Sequence, residues 1–173
     1  MARVLLTHIG KPRRANNADG ASALGAEYAT TTYALENYHF TTPMMGFGLA
    51  EITRPDRMVM LGTTGSAWSS TVGVSLSLGD CPEQESDTAL ELMAELEALE
   101  QQDAVTSTRL AELSECLTRW LNVPVICHLT PYVENAPRRD TAHYLKALDN
   151  VIDTGDALMI DVTHGLRYHP MLA

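Results

Sequence analysis

Three short clusters in this 173-residue chain hold the residue types that grip an anion. Near the start stand Thr7, His8, Gly10 and Lys11; mid-chain, Gly62-Thr63-Thr64-Gly65-Ser66; near the end, Asp161, Thr163, His164, Gly165 and Arg167. Hydroxyls and cations complement phosphate oxygens, and glycine lets a backbone approach closely enough to present its N–H groups. Each cluster stands at the end of a short apolar run of strand length: Arg3 to Ile9, Met58 to Leu61, and Ala157 to Ile160. In an open α/β sheet such junctions are where ligands sit, beyond the carboxyl ends of the strands and beside the positive end of a following helix. Together the three predict a nucleotide-like or phosphate-bearing ligand. Asp161 reads as the cap of its own turn, accepting backbone N–H groups rather than touching ligand.

The remaining elements must bring these clusters together. Lys11 to Ala23 is polar and small and reads as a loop, and Glu27 to Phe40, rich in Thr and aromatics, reads as an antiparallel hairpin around Glu36-Asn37. Met44 to Ile52 reads as a short helix ended before Pro55. Apolar stripes at Ala89, Leu92, Leu96 and Leu99, and at Leu110, Leu113, Leu117 and Trp120, predict two helices. Val123 to Leu129 is a third buried strand, running into Thr130-Pro131-Tyr132. A last stripe, Tyr144, Leu145, Leu148, Val151 and Ile152, predicts a helix that ends at Thr154-Gly155. Strands alternating with helices predict a Rossmann-like α/β domain, a mostly parallel sheet with helices on both faces and a β-hairpin after the first strand.

Composition narrows the function. Between Asp80 and Glu115 lie eleven acids against Arg109 alone, which accounts for the whole net charge of −10. The acidity is therefore the solvated face of two helices, and it leaves room for an anionic ligand elsewhere. No basic face emerges, which argues against duplex nucleic acid as a partner. Cys81, Cys116 and Cys127 lack metal-ligand spacing, so neither a metal site nor a disulfide framework is expected. No apolar run approaches the length of a membrane span, and no charged-then-apolar leader opens the chain, so a cytoplasmic setting is expected. Neither the dinucleotide fingerprint nor the phosphate loop of nucleoside triphosphatases is present, and no cofactor is expected. Gly65-Ser66-Ala67-Trp68 does not make the serine-hydrolase elbow.

The last cluster extends to Pro170, and Asp161-x-Thr163-His164-Gly165-x-Arg167-x-x-Pro170 resembles the D-x-T-H-G-x-R-x-x-P signature of CARF (CRISPR-associated Rossmann fold) sensor domains. Leu61-Gly62-Thr63, Ser66 and Trp68, and then Leu129-Thr130-Pro131-Tyr132, follow in the order that family shows. The resemblance spans nearly the whole chain. It implies binding of a cyclic oligoadenylate, tetra- or hexa-adenylate, made by type III CRISPR complexes, with one ring across the two-fold axis of a homodimer. A two-fold ring suits such an axis, since each subunit offers the same loops to half of it. Carried onto this sequence, the ligand-binding residues are Thr7, His8, Gly10, Lys11, Thr63, Thr64, Gly65, Ser66, Thr163, His164, Gly165 and Arg167, with Trp68 assigned to packing.

Two other activities occur in the family. A ring nuclease would cleave the bound ring without metal, the ribose 2′-hydroxyl attacking the adjacent phosphate, and Thr7, His8, Lys11, Ser66 and His164 are the groups available to it. A transcription regulator would need a winged helix-turn-helix segment, and no basic recognition helix stands in the sequence. Arg138 and His143 match the Arg-x4-6-His spacing of HEPN ribonucleases but fall inside the sensor, between its third and fourth strands, and read as coincidence. Residues 1–173 are expected to form a single sensor domain, with an effector domain encoded beyond Ala173.

Overall fold

A computed structural model describes residues 1–10, 31–35, 38–130, 137–161 and 163. The expected loop from Lys11 to Ala23, the first residues of the hairpin, and the ligand candidates Lys11, His164, Gly165 and Arg167 lie outside the described residues, as do Pro131 and Tyr132.

Four strands form one parallel sheet: β1 (Arg3–His8), β4 (Arg57–Gly62), β5 (Val125–Leu129) and β6 (Ala157–Ile160), in the order β5-β4-β1-β6. A separate antiparallel pair, β2 (Thr31–Leu35) and β3 (Tyr38–Thr42), sets Leu35 opposite Tyr38 and stacks Tyr33 on Phe40. β1 and β4 are buried on both faces, as their continuous apolar runs require of central parallel strands. Alternation sorts their side chains into two cores. Leu5, Met58 and Met60 face a core with Trp68, Leu96, Leu110, Leu113 and Leu117. Val4, Leu6, Val59 and Leu61 face the other, with Tyr144, Leu148 and Val151.

The first core is roofed by α1 (Met45–Thr53), α2 (Trp68–Leu78) and α4 (Ser107–Leu121), with α3 (Ser86–Glu100) packed on α2. The second is covered by α5 (Pro137–Asp149). Helices on both faces of a parallel sheet are what the alternating pattern predicts. The stripes of α3 and α4 point inward at Ala89, Leu92 and Leu96, and at Leu110, Leu113, Leu117 and Trp120. Leu145, expected on the stripe of α5, is instead exposed. The third strand begins at Val125 rather than Val123, because Pro124 has no N–H for the ladder; its carbonyl still accepts the N–H of Met58 at 2.8 Å.

α2 is an element that periodicity does not reveal. Six of its eleven residues are buried, among them Ser69, Thr71 and Ser75, so polar side chains stand where an amphipathic helix would place apolar ones. It is pressed between the sheet and α3, where small side chains permit a close approach.

Candidate functional site

The chain winds from β1 outward to β4 and β5, then returns to lay β6 on the other side of β1. The winding reverses between β1 and β6, and a crevice opens at such a reversal beyond the carboxyl ends of the strands. At that point on β1 stand Thr7 and His8, consecutive residues on opposite faces. Thr7 shares the face of Leu5 and lies under α1, so close that a Cβ on Gly46 would come 2.7 Å from its Oγ1. His8 shares the face of Leu6 and meets α5, its Nε2 lying 3.0 Å from the hydroxyl of Tyr144 with the two rings stacked.

Asp161, the first residue beyond β6, ties both to the neighbouring strand. Its N–H donates to the carbonyl of Leu6 at 2.8 Å, and its Oδ2 accepts the Thr7 hydroxyl at 2.7 Å. Its Oδ1 accepts the N–H of Thr163 at 2.9 Å, and its carbonyl lies 3.4 Å from Nδ1 of His8. Asp161 is only 2% exposed. It therefore braces the turn from behind and leaves Thr163 exposed beyond it. Burial pushes the Tyr144 hydroxyl up to about 12, so it stays a donor; donation to Nε2 fits the His8 tautomer that carries its hydrogen on Nδ1, toward Asp161.

The loop after β4 is built from its own backbone. Ser66 Oγ accepts the N–H of Thr63 at 2.8 Å, and the N–H of Ser66 returns to the Thr63 carbonyl at 3.1 Å. The indole N–H of the fully buried Trp68 donates to the same carbonyl at 2.9 Å. Gly62 is required by this packing, since a Cβ there would stand 2.6 Å from Cζ2 of Trp68 and 3.0 Å from Oγ of Ser66. Among the described residues, three backbone bonds fasten the loop to its surroundings. Ala67 N–H donates to Gly10 at 2.9 Å, Thr130 N–H to Gly62 at 2.7 Å, and Val105 N–H to Thr64 at 3.2 Å. The N–H groups of Thr64 and Gly65 make no hydrogen bond among the described residues. Ser66 is buried and points into the loop, whereas Thr64 is exposed.

Those of the sequence-predicted residues that are described thus stand along one rim, at the ends of three adjacent strands. Thr7, His8 and Gly10 close β1, Thr63 to Ser66 follow β4, and Thr163 follows β6. Two participants escape sequence reading. Tyr144 reads as a member of an apolar stripe, and nothing local marks its hydroxyl. Glu100, the last residue of α3, reads as part of the acidic face, yet its carboxylate takes the backbone N–H of Ser69 at 2.5 Å and the Ser69 hydroxyl at 2.9 Å. Ser69 is the second residue of α2, so Glu100 occupies the positive end of that helix. Burial pushes the Glu100 carboxyl up to about 7 against the opposing pull of the Ser69 bonds, and Glu97 adds to the rise.

Among the described residues no group of three or more His, Cys, Asp or Glu could hold a metal ion, and no helix is long and apolar enough to cross a membrane. A cleft of about 590 Å³ lies at the opposite rim, lined by Phe40, Phe47, Arg54, Leu78, Asp80 and Val123 among others, and holds none of the residues above.

Residues 4–173 match the family model described as the CARF domain of the CRISPR system endoribonuclease Csx1. No curated protein matches the chain.

Proposed function

The chain belongs to the Csx1 CARF domain family, and from that premise we propose that it is the sensor domain of a CRISPR effector that binds cyclic oligoadenylate across a homodimer interface. One observation carries the reading: the backbone N–H groups of Thr64 and Gly65 stand without partners among the described residues, on a loop hydrogen-bonded to the end of β1 beside the reversal of winding. Two adjacent amides held by a rigid loop are the donors a phosphate oxygen takes. In this reading Gly10, Thr63, Thr64 and Gly65 line one part of the ring's path, and Thr163, His164, Gly165 and Arg167 line the other. Lys11 and Arg167 supply the cations. Thr7, Ser66 and Asp161 shape the site from behind, because their side chains are already engaged: Thr7 with Asp161, Asp161 with Thr163, and Ser66 with Thr63 in its own loop.

A cyclic oligonucleotide of even number has the two-fold symmetry that an isologous dimer offers. Titration calorimetry with cyclic tetra-adenylate and cyclic hexa-adenylate tests the proposal. One of the two is expected to saturate at one ring per two chains; no heat from either overturns the reading. Chromatography of the nucleotide after long incubation is expected to return an intact ring, and linear product would assign the chain to the ring nucleases instead. Arg167→Ala is expected to weaken binding at least about tenfold, the loss of a charge-assisted phosphate contact, with the melting temperature of the free protein unchanged.

A further inference from the structure

The segment from the end of α3 to Val105 holds the loop after β4 at two places. Glu100 grips Ser69, at the exit of the loop, through both backbone N–H and hydroxyl. The N–H of Val105 holds the carbonyl of Thr64, at the tip. The two unengaged amides, at Thr64 and Gly65, flank the carbonyl that Val105 holds and precede the grip at Ser69. Resting on the reading above, we propose that Glu100 is a positioning residue for this loop, and that seating a ring phosphate on it is accompanied by uptake of a proton at the Glu100 carboxylate.

As an ionised group, Glu100 fills the positive end of α2, the same end that favours a phosphate on the preceding loop. A second negative charge there makes ionisation of Glu100 dearer, so ligand and proton favour each other, and by linkage the proton must favour the ligand equally. The grip survives protonation. A neutral carboxyl keeps one oxygen to accept the Ser69 N–H, and its own O–H can donate to Ser69 Oγ. The surrounding charges do not oppose this. Glu97 on α3 is a like charge, and Asp103, past the end of α3, is exposed. Arg109 on α4 is held by Glu95 and Glu112. Neither α2 nor the loop from 62 to 67 carries a titratable side chain. Since burial already sets the free carboxyl at about 7, the exchange falls near neutral pH.

The test is calorimetry of the full chain with cyclic tetra-adenylate and cyclic hexa-adenylate at pH 6 and pH 8, in paired buffers of different ionisation enthalpy, for wild type and Glu100→Gln. For the ring that binds, wild-type affinity is expected to fall about tenfold from the lower to the higher pH, with proton uptake on binding. Glu100→Gln is expected to bind at both pH values as wild type does at pH 6, without that uptake. Any other titrating group is common to the two proteins and cancels in the comparison. An equal slope and equal proton count in the two proteins overturn the inference while leaving the ring-binding reading standing; no binding by wild type at either pH overturns both. Should Glu100→Gln fail to fold, a carbon-NMR titration of the wild-type Glu100 carboxyl decides: a midpoint raised by bound ring supports the coupling, and an unmoved midpoint ends it.

Discussion

Asp161→Ala is the substitution that asks most of this structure. The carboxylate is buried and serves two donors, the Thr7 hydroxyl at 2.7 Å and the Thr163 N–H at 2.9 Å. Thr7 is itself 3% exposed, so its hydroxyl has little access to water once the acceptor is gone, and a lost bond to a buried charged group costs about 2–3 kcal/mol. Thr163 is exposed, so its N–H turns to water and adds at most about 1 kcal/mol. Against these stands relief of the desolvation cost of a carboxylate that has no cation among its described partners, which returns about 1 kcal/mol. The net is a loss of about 2–3 kcal/mol. In a chain of this size it appears as a fall of about 5–10 °C in melting temperature. Urea titration of wild type, Asp161→Ala, Thr7→Val and the double variant measures it, with a coupling of at least about 1 kcal/mol expected between the two positions. Asp161→Asn keeps an acceptor for Thr163 and an amide for the Thr7 oxygen, and should cost less than about 1 kcal/mol. If Asp161→Ala unfolds with wild type, or the two single changes simply add, then this contact does not hold the end of β1 to β6 and the account of the rim is wrong.

Further substitutions probe the rest of the rim. Gly62→Ala would push a methyl carbon to 2.6 Å from the Trp68 ring, and is expected to cost about 1–3 kcal/mol by overpacking while also weakening ring affinity; a variant as stable as wild type would show that the indole is not fixed there. Tyr144→Phe removes the hydroxyl 3.0 Å from Nε2 of His8 and should lower stability by about 1–2 kcal/mol in urea, an effect absent if that contact is incidental. Glu100 gives stability a pH dependence of definite sign. Its folded carboxyl sits at about 7, above the ordinary 4.5, so between those values the native state holds more proton than the unfolded chain and stability falls as pH rises. With the group partly exposed, the fall is discounted for solvent screening to about 2 kcal/mol. Glu100→Gln should therefore gain stability relative to wild type between pH 5 and pH 8, and parallel stability curves would refute the assignment.

What the residues disclose in advance is what neighbours in the chain decide. The apolar runs inside β1 and β4 are continuous because both faces of a central parallel strand are covered, β6 is a shorter apolar run at the sheet edge, and each gives way where Thr, Gly or Asp begins. The Asp161 cap is legible for the same reason, since the N–H it accepts belongs to Thr163, two residues on. α2 is illegible because no period encodes what becomes of its buried polar residues: Thr71 donates back to the Trp68 carbonyl at 2.6 Å, Ser69 finds a partner 31 residues away, and the Ser75 hydroxyl has no partner among the described residues. Tyr144 shows the division within one side chain. Its place in the stripe correctly predicts that its ring is buried, while the partner of its hydroxyl, His8, lies 136 residues earlier. Glu100 is the extreme case, because a helix end crowded with acids gives no sign that one of them turns inward. The loop after β4 can thus be found from its glycines and hydroxyls, whereas Glu100, which grips Ser69 at its exit, enters from another helix and becomes visible only once α3 is laid against α2. Sites assembled this way divide into a recognising part fixed by local chemistry and a tuning part fixed by packing. Changes at Thr64 or Gly65 should accordingly alter whether a ring binds, and changes at Glu100 the pH at which it does.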